Sequence, residues 1–255
     1  MTALKIASLT PRGTALAASI ELRDIGLELG NRRILHGINF STRDRRIGIV
    51  GRNGSGKTTL AKVIAGLVAP TTGSARISGV DVAKDRKAAL RHVGILFQNP
   101  DHQIIFPTVE EEIAFGLLQL GQSKSEAAAS TAEILARFER SHWARAATHT
   151  LSHGQKQLVC LMSILTMHPA LIVLDEPFAG LDIPTRMQLM RHLDGVEASL
   201  ILITHDPAHL RDYDRVIWLD DGALREDGPA AGVLDRFEQQ MRQWGQSDDL
   251  ADLRD

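Results

Sequence analysis

The sequence predicts an α/β protein, a parallel sheet covered on both faces, with antiparallel strands ahead of it and a helical segment inserted into it. Three observations carry that prediction. Leu171-Ile172-Val173-Leu174 and Leu200-Ile201-Leu202-Ile203 are short, fully apolar runs, the pattern of strands buried on both faces. Arg46-Ile47-Gly48-Ile49-Val50 is another apolar strand and runs directly into a glycine-rich loop. Between residues 99 and 165 the texture turns mostly helical.

In order along the chain, residues 1–18 read as a flexible lead-in, since Lys5, Pro11, Arg12 and Gly13 interrupt the apolar stretch a secretory signal needs. Ile20, Leu22, Ile25, Leu27 and Leu29, then Ile34 to Phe40, alternate as two half-buried strands with Gly30-Asn31 as their turn. A helix is expected from about Lys57 to Ala65, and Ile77 with Gly79-Val80-Asp81 fits a further strand pair. His92 to Phe97 is strand-like. Ala127 to Phe138 has helical apolar spacing, opened by Ser125 with Glu126 in the first turn. The uncharged stretch from Gln157 to Leu174 is long enough to suggest a membrane span but is broken by His168 and Pro169, so it reads as a buried helix followed by a buried strand. Val216 to Leu219, Asp220-Asp221-Gly222 and Ala223-Leu224 form a late hairpin, and residues 241–255 read as an acidic tail.

With 255 residues, 44% of them hydrophobic, the chain can bury a full core as one domain with a subdomain. A net charge of -2 gives no basic footprint, so nucleic acid is not an expected partner. Lone Cys160 has no disulfide partner, fits a reducing compartment and reads as a small buried apolar residue.

The chemistry begins at Gly51-Arg52-Asn53-Gly54-Ser55-Gly56-Lys57-Thr58, followed by Thr59, a G-x-x-x-x-G-K-[ST] match between a strand and a helix. Its glycines let backbone N–H groups turn inward around phosphate oxygens, and the helix N-terminus adds its dipole. Lys57 is placed to reach β- and γ-phosphates and the Thr58 hydroxyl to ligate Mg²⁺. A chance match has odds on the order of 1%, too low for a meaningless glycine turn. Downstream, Leu171 to Leu174 ends in Asp175-Glu176. Acids after a strand are commonly loop solvation, but behind a phosphate loop Asp175 fits the Mg²⁺ carboxylate and Glu176 the group that polarises the attacking water.

Leu151-Ser152-His153-Gly154-Gln155 resembles the LSGGQ signature of ABC ATPases, at the expected place before the Asp175-Glu176 strand. That resemblance covers Ile20 to about Phe237. It implies a RecA-like P-loop NTPase core with an antiparallel β subdomain (residues 19–97 and 166–240) and an inserted helical subdomain (98–165). It further implies ATP and Mg²⁺ as ligands and a head-to-tail ATPase dimer, homo- or heteromeric, in which the signature closes over ATP held by the other protomer. Gln98 matches the Q-loop glutamine that senses Mg²⁺ and water, Ala179-Gly180-Leu181-Asp182 the D-loop, and His205 the switch histidine. Two positions depart from the pattern. Leu29 stands where many relatives carry an adenine-stacking aromatic, and His153 replaces the first signature glycine.

The segment Phe97 to Gly116 resembles the Q-loop region of energy-coupling-factor (ECF) importer ATPases, which bring vitamins or Ni²⁺/Co²⁺ into prokaryotes. There it implies a groove for the coupling helices of a transmembrane T component. Gln103, Ile104, Ile105 and Phe106 are its expected contacts, with Glu110, Glu111 and Glu112 as acids for basic partners. A substrate-binding S component follows indirectly, as does a place at the cytoplasmic face of the inner membrane. The compact length and the Leu151 to Leu165 segment resemble the biotin-transporter ATPase first and the cobalt-transport ATPase second. Other ABC classes fit less well: no heptads mark a DNA-repair protein, only one motif set is present, and Glu176 with His205 argues against a non-hydrolysing module.

Overall fold

A computed structural model describes residues 17–246. Most of the lead-in and the end of the tail lie outside those residues. Strands β1 (Ile20–Leu29) and β2 (Arg32–Thr42) form the expected hairpin, and β3 (Arg46–Val50) leads into the glycine-rich loop and α1 (Lys57–Ile64). Strands β4 (Thr72–Ile77) and β5 (Val80–Asp81) complete a four-stranded antiparallel sheet in the order β2-β1-β4-β5. Next come α2 (Arg86–His92), a short helix that the strand-like reading of His92 overlooked, and β6 (Val93–Leu96). The insertion holds α3 (Val109–Gln119), α4 (Lys124–Arg137) and α5 (His153–Thr166). Then follow β7 (Leu171–Asp175), α6 (Ile183–Asp194), β8 (Ser199–Ile203), β9 (Arg215–Asp220), β10 (Ala223–Pro229) and α7 (Ala230–Gln246).

The larger sheet runs β10-β9-β3-β8-β7-β6, parallel except for β10. Its strands β7 and β8 are buried at every position, as continuous apolar runs require. One face packs Ile47, Ile49, Ile201 and Ile203 against α1 and the antiparallel sheet. The other packs Ile172 and Leu174, with Leu200 and Trp218, against α5, α6 and α7. Parallel strands joined by helices bring every strand's C-terminal end to one edge, where the loops gather. At the opposite edge the helices end in basic turns, Arg91 and His92 on α2, Arg137 on α4, Arg191 and His192 on α6. Those cations complement the negative helix termini.

Two boundaries differ from expectation. Helix α4 is capped by Ser123, not Ser125, because Ser123 and Glu126 stand three apart and close a reciprocal capping box. The chain past residue 240 is not yet tail, since α7 continues to Gln246. Val233, Leu234, Phe237, Met241 and Trp244 share one apolar stripe of that helix and pack against the sheet-face cluster. Phe237 meets Trp218 edge-on at 5.3 Å. Replacing Phe237 with Ala is expected to lower unfolding free energy by about 3–5 kcal/mol in denaturant titration, the usual effect of deleting a buried ring. A loss below about 1 kcal/mol would show α7 to be only loosely attached.

Candidate nucleotide-hydrolysing site

The loop after β3 crosses the sheet edge at very close range. A Cβ on Gly51 would lie 2.2 Å from the Leu219 carbonyl oxygen, so no side chain fits there. Gly56 caps α1 in the left-handed region at φ 95, a conformation glycine adopts without strain. The loop is fastened from beneath, because Gly222 N–H donates to the Ser55 carbonyl at 3.1 Å. Lys57 Nζ donates to the carbonyls of Gly51 and Arg52, both at 2.8 Å. An ammonium has three donors, so one remains for a ligand oxygen. Among the described residues Ser55 Oγ, buried in the loop, has no hydrogen-bond partner. Burial lowers the pKa of Lys57, opposed by the nearby carboxylates of Glu176 and Asp175. A loop of this construction suits a polyphosphate.

Thr58, on the first turn of α1, donates through Oγ1 to Asp175 Oδ1 at 3.2 Å. Burial raises the Asp175 carboxyl, against the opposing effects of the Thr58 hydrogen bond and Lys57. A hydroxyl and a desolvated carboxylate are hard oxygen donors, and a cation would offset the burial penalty, so the pair fits Mg²⁺. Among the described residues no three His, Cys, Asp or Glu side chains group into a metal cage. Further donors then come from elsewhere, as they do for Mg²⁺ carried on nucleotide phosphates.

Glu176 follows on the turn after β7 in a left-handed backbone, φ 48, that a non-glycine residue adopts at some cost. Its N–H donates to the Ile203 carbonyl at 3.0 Å, and its Oε2 lies 2.9 Å from His205 Nδ1. The two residues expected to act on the γ-phosphate end are therefore in contact. The Glu176 side chain is 15% exposed and that of His205 71%, so the histidine is the more accessible to a ligand or partner. Gln98 is exposed at the end of β6 and makes no hydrogen bond among the described residues. Nothing here brings it to Thr58 or Asp175.

The segment expected to be the signature lies at the start of α5. Ser152 is the helix cap and forms a reciprocal box with Gln155, whose side chain accepts the Ser152 N–H at 2.8 Å. Gly154 is required by packing: a Cβ would meet Thr185 Cγ2 at 2.5 Å. Leu151 and Gly154 are half-buried, while Ser152 and His153 are exposed. His153 occupies the first helical position, outside the left-handed region, so the missing glycine causes no backbone strain. Leu181 lines a cleft of about 240 Å³ with Ser152 and Gly154, and Asp182 caps α6 by accepting the Thr185 N–H at 2.9 Å. Gln157, fully buried on α5, donates through Nε2 to the carbonyls of Phe97 (3.2 Å) and Pro177 (3.3 Å). It pins the insertion to both acid-bearing and Gln98-bearing strand ends, a link the sequence motifs did not expose.

The expected docking segment separates into two groups. Ile105 is 66% exposed and Glu110 is exposed. Ile104 packs against the core cluster, Phe106 lies tilted against Phe115 at 4.9 Å between ring centres, and Gln103 accepts the Phe97 N–H at 3.2 Å. Glu112 is not a surface acid, for its carboxylate is buried and accepts the N–H groups of Ile105 and Phe106, both at 2.9 Å. Glu111 closes the capping box of α3 with Thr108. Leu29 is 55% exposed at the β1–β2 turn.

Fold and site together define a phosphate-loop ATPase with an inserted helical signature subdomain. Residues 35–179 match the family model for the ABC transporter. Over 219 residues the chain is 48% identical to the biotin transport ATP-binding protein BioM of Rhodobacter capsulatus, covering 86% of this chain and 94% of that one. It is 38% identical over 211 residues to the energy-coupling factor transporter ATP-binding protein EcfA of Methanosphaera stadtmanae, covering 78% and 75%. The structure of cbiO1 from Clostridium perfringens, part of the ABC transporter complex cbiONQ, superposes with a TM-score of 0.71 at 26% identity over 89% of this chain and 94% of that one. The chain belongs to the ABC transporter family and is an ATP-binding, ATP-hydrolysing subunit. Among the described residues no helix is long and apolar enough to cross a membrane.

Because burial holds the Asp175 carboxyl above its unfolded value, its ionised form subtracts stability as pH rises through the folded pKa. Asp175→Asn keeps an acceptor for Thr58 and removes that charge. Without nucleotide or Mg²⁺ the variant is expected to melt above the parent at neutral pH and level with it in acid. ATP hydrolysis should fall at least about a hundredfold. A variant that melts below the parent at neutral pH would contradict this account of the buried charge.

Proposed function

We propose that the chain is the motor of an ECF-type importer and that biotin is its cargo. The observation that carries the importer class is the segment from Phe97 to Gly116, with Ile105 and Glu110 facing outward from a rigid Glu112 cap. Support for biotin comes from the 48% identity to a biotin transport ATP-binding protein. The T component's coupling helices would seat on exposed Ile105 and on the half-buried Gln103, Ile104 and Phe106 beside it, with Glu110, and Glu111 where it leaves its capping box, pairing basic residues at the rim. That partner holds the chain at the cytoplasmic face of the membrane and links it to the S component.

In this reading residues Gly51 to Thr59 cradle the phosphates of ATP. Lys57 keeps its two loop carbonyls and directs its remaining donor at the β- and γ-phosphates. Thr58 and Asp175, with Gln98 joining them only after a movement of its loop, would hold Mg²⁺, which when bound would neutralise charge on the transferring phosphoryl group. Glu176 accepts the proton of the attacking water, and His205, already on its carboxylate, steadies the γ-phosphate end. Leu151, Ser152, His153, Gly154 and Gln155 of a second protomer close over the nucleotide in a head-to-tail dimer, with Leu181 and Asp182 crossing the interface. The helical insertion then swings as a unit about the core, and hydrolysis reopens it.

Glu176→Gln is expected to bind ATP, persist as a dimer in size-exclusion chromatography and turn over at under about a hundredth of the parental rate. Parental turnover in that variant would remove Glu176 from the base role. For the importer reading, tagged chain purified from native membranes in mild detergent is analysed by mass spectrometry. An integral T component with a small biotin-binding S component is the expected company. Ile105→Asp should lose both while retaining ATP binding. Recovery of a periplasmic-binding-protein system or of DNA-repair proteins would overturn the assignment.

A further inference from the structure

The last turn of α7 reaches the phosphate loop. The Trp244 ring centre stands 5.0 Å from the guanidinium carbon of Arg52, the second residue of that loop. The same indole meets Trp218 of β9 edge-on at 6.5 Å. Between them sits Arg225 of β10, 4.1 Å from the Trp218 ring and 5.4 Å from Trp244. Arg225 is itself fixed, by Asp220 at 2.9 Å and by Gln240 of α7 at 3.0 Å. The array thus alternates ring and guanidinium from the buried face of the sheet to the nucleotide edge. Each cation lies where the negative face of a ring attracts it.

Arg52 has no carboxylate partner within ion-pair distance among the described residues, and its side chain is exposed. An exposed arginine held only by its backbone samples many rotamers. Its carbonyl, however, receives the Lys57 ammonium and the Ser55 N–H, so the placing of this one residue bears on the cation aimed at the phosphates. We propose that Trp244 is a positioning residue for nucleotide binding, holding Arg52 and so the front of the phosphate loop, and that α7 thereby sets ATP affinity without touching the ligand. The proposal rests on residues 51–58 being the phosphate site.

Titration calorimetry of the full chain with ATP·Mg²⁺ tests it on the parent, Trp244→Ala and Trp244→Phe, with melting midpoints recorded beside each Kd. Trp244→Ala is expected to weaken binding about three- to tenfold, the size of one cation–π contact, with kcat held within about twofold. Trp244→Phe keeps a ring face and should recover most of the affinity. Arg52→Ala and the Arg52→Ala/Trp244→Ala double variant should bind alike, since the second change removes a contact already lost. Parental affinity in Trp244→Ala overturns the proposal. So does a Kd change that follows the melting midpoint alone and is not rescued by Phe. A parent that fails to bind ATP·Mg²⁺ would be a separate failure, of the phosphate-site reading itself.

Discussion

The nucleotide edge depends on a close approach: the chain passes Gly51 against the Leu219 carbonyl with no space for a β-carbon. That contact presses the loop onto β9 and sets the level at which α1 begins. With α1 starting there, Thr58 meets Asp175 and Lys57 folds back on its own loop. A substitution at Gly51 would therefore displace several groups together, because the interior around it is packed too densely to absorb the shift.

The second constraint is the joint between insertion and core. Gln157 donates hydrogen bonds to both the strand end that carries Gln98 and the turn that follows Glu176. A buried amide donating to two carbonyls resists sliding, since any displacement leaves polar atoms without water or partner. Helix α5 therefore moves either with both strand ends or by breaking that pair. The packing of Gly154 against Thr185 ties the signature to α6 in the same way.

Much of this was legible in the sequence. The parallel strands announced themselves as unbroken apolar runs, and the phosphate loop as consecutive residues whose chemistry is local. What escaped was set by contacts between distant residues. Glu112 looks like its neighbours Glu110 and Glu111, and only the fold turns it inward onto Ile105 and Phe106. The meeting of Glu176 with His205 joins two strand ends and has no local signature. Helix α7 did carry a signal, its stripe from Val233 to Trp244, but the polar residues between masked it. Ser123 was distinguishable from Ser125 by its three-residue spacing to Glu126. The cargo leaves no such mark, because an ATPase subunit of this kind is proposed to act on a partner and not on the substrate.

Cys160 gives the molecule one experimental convenience. It is fully buried in α5, and burial pushes its thiol well above the ordinary range, so the thiolate that alkylating reagents attack is scarcely formed. The native fold is thus close to silent toward maleimide dyes and thiol cross-linkers. A cysteine introduced at an exposed position such as Ser152 or Asp182 becomes a single addressable handle, with little background labelling to subtract and no native residue to remove first.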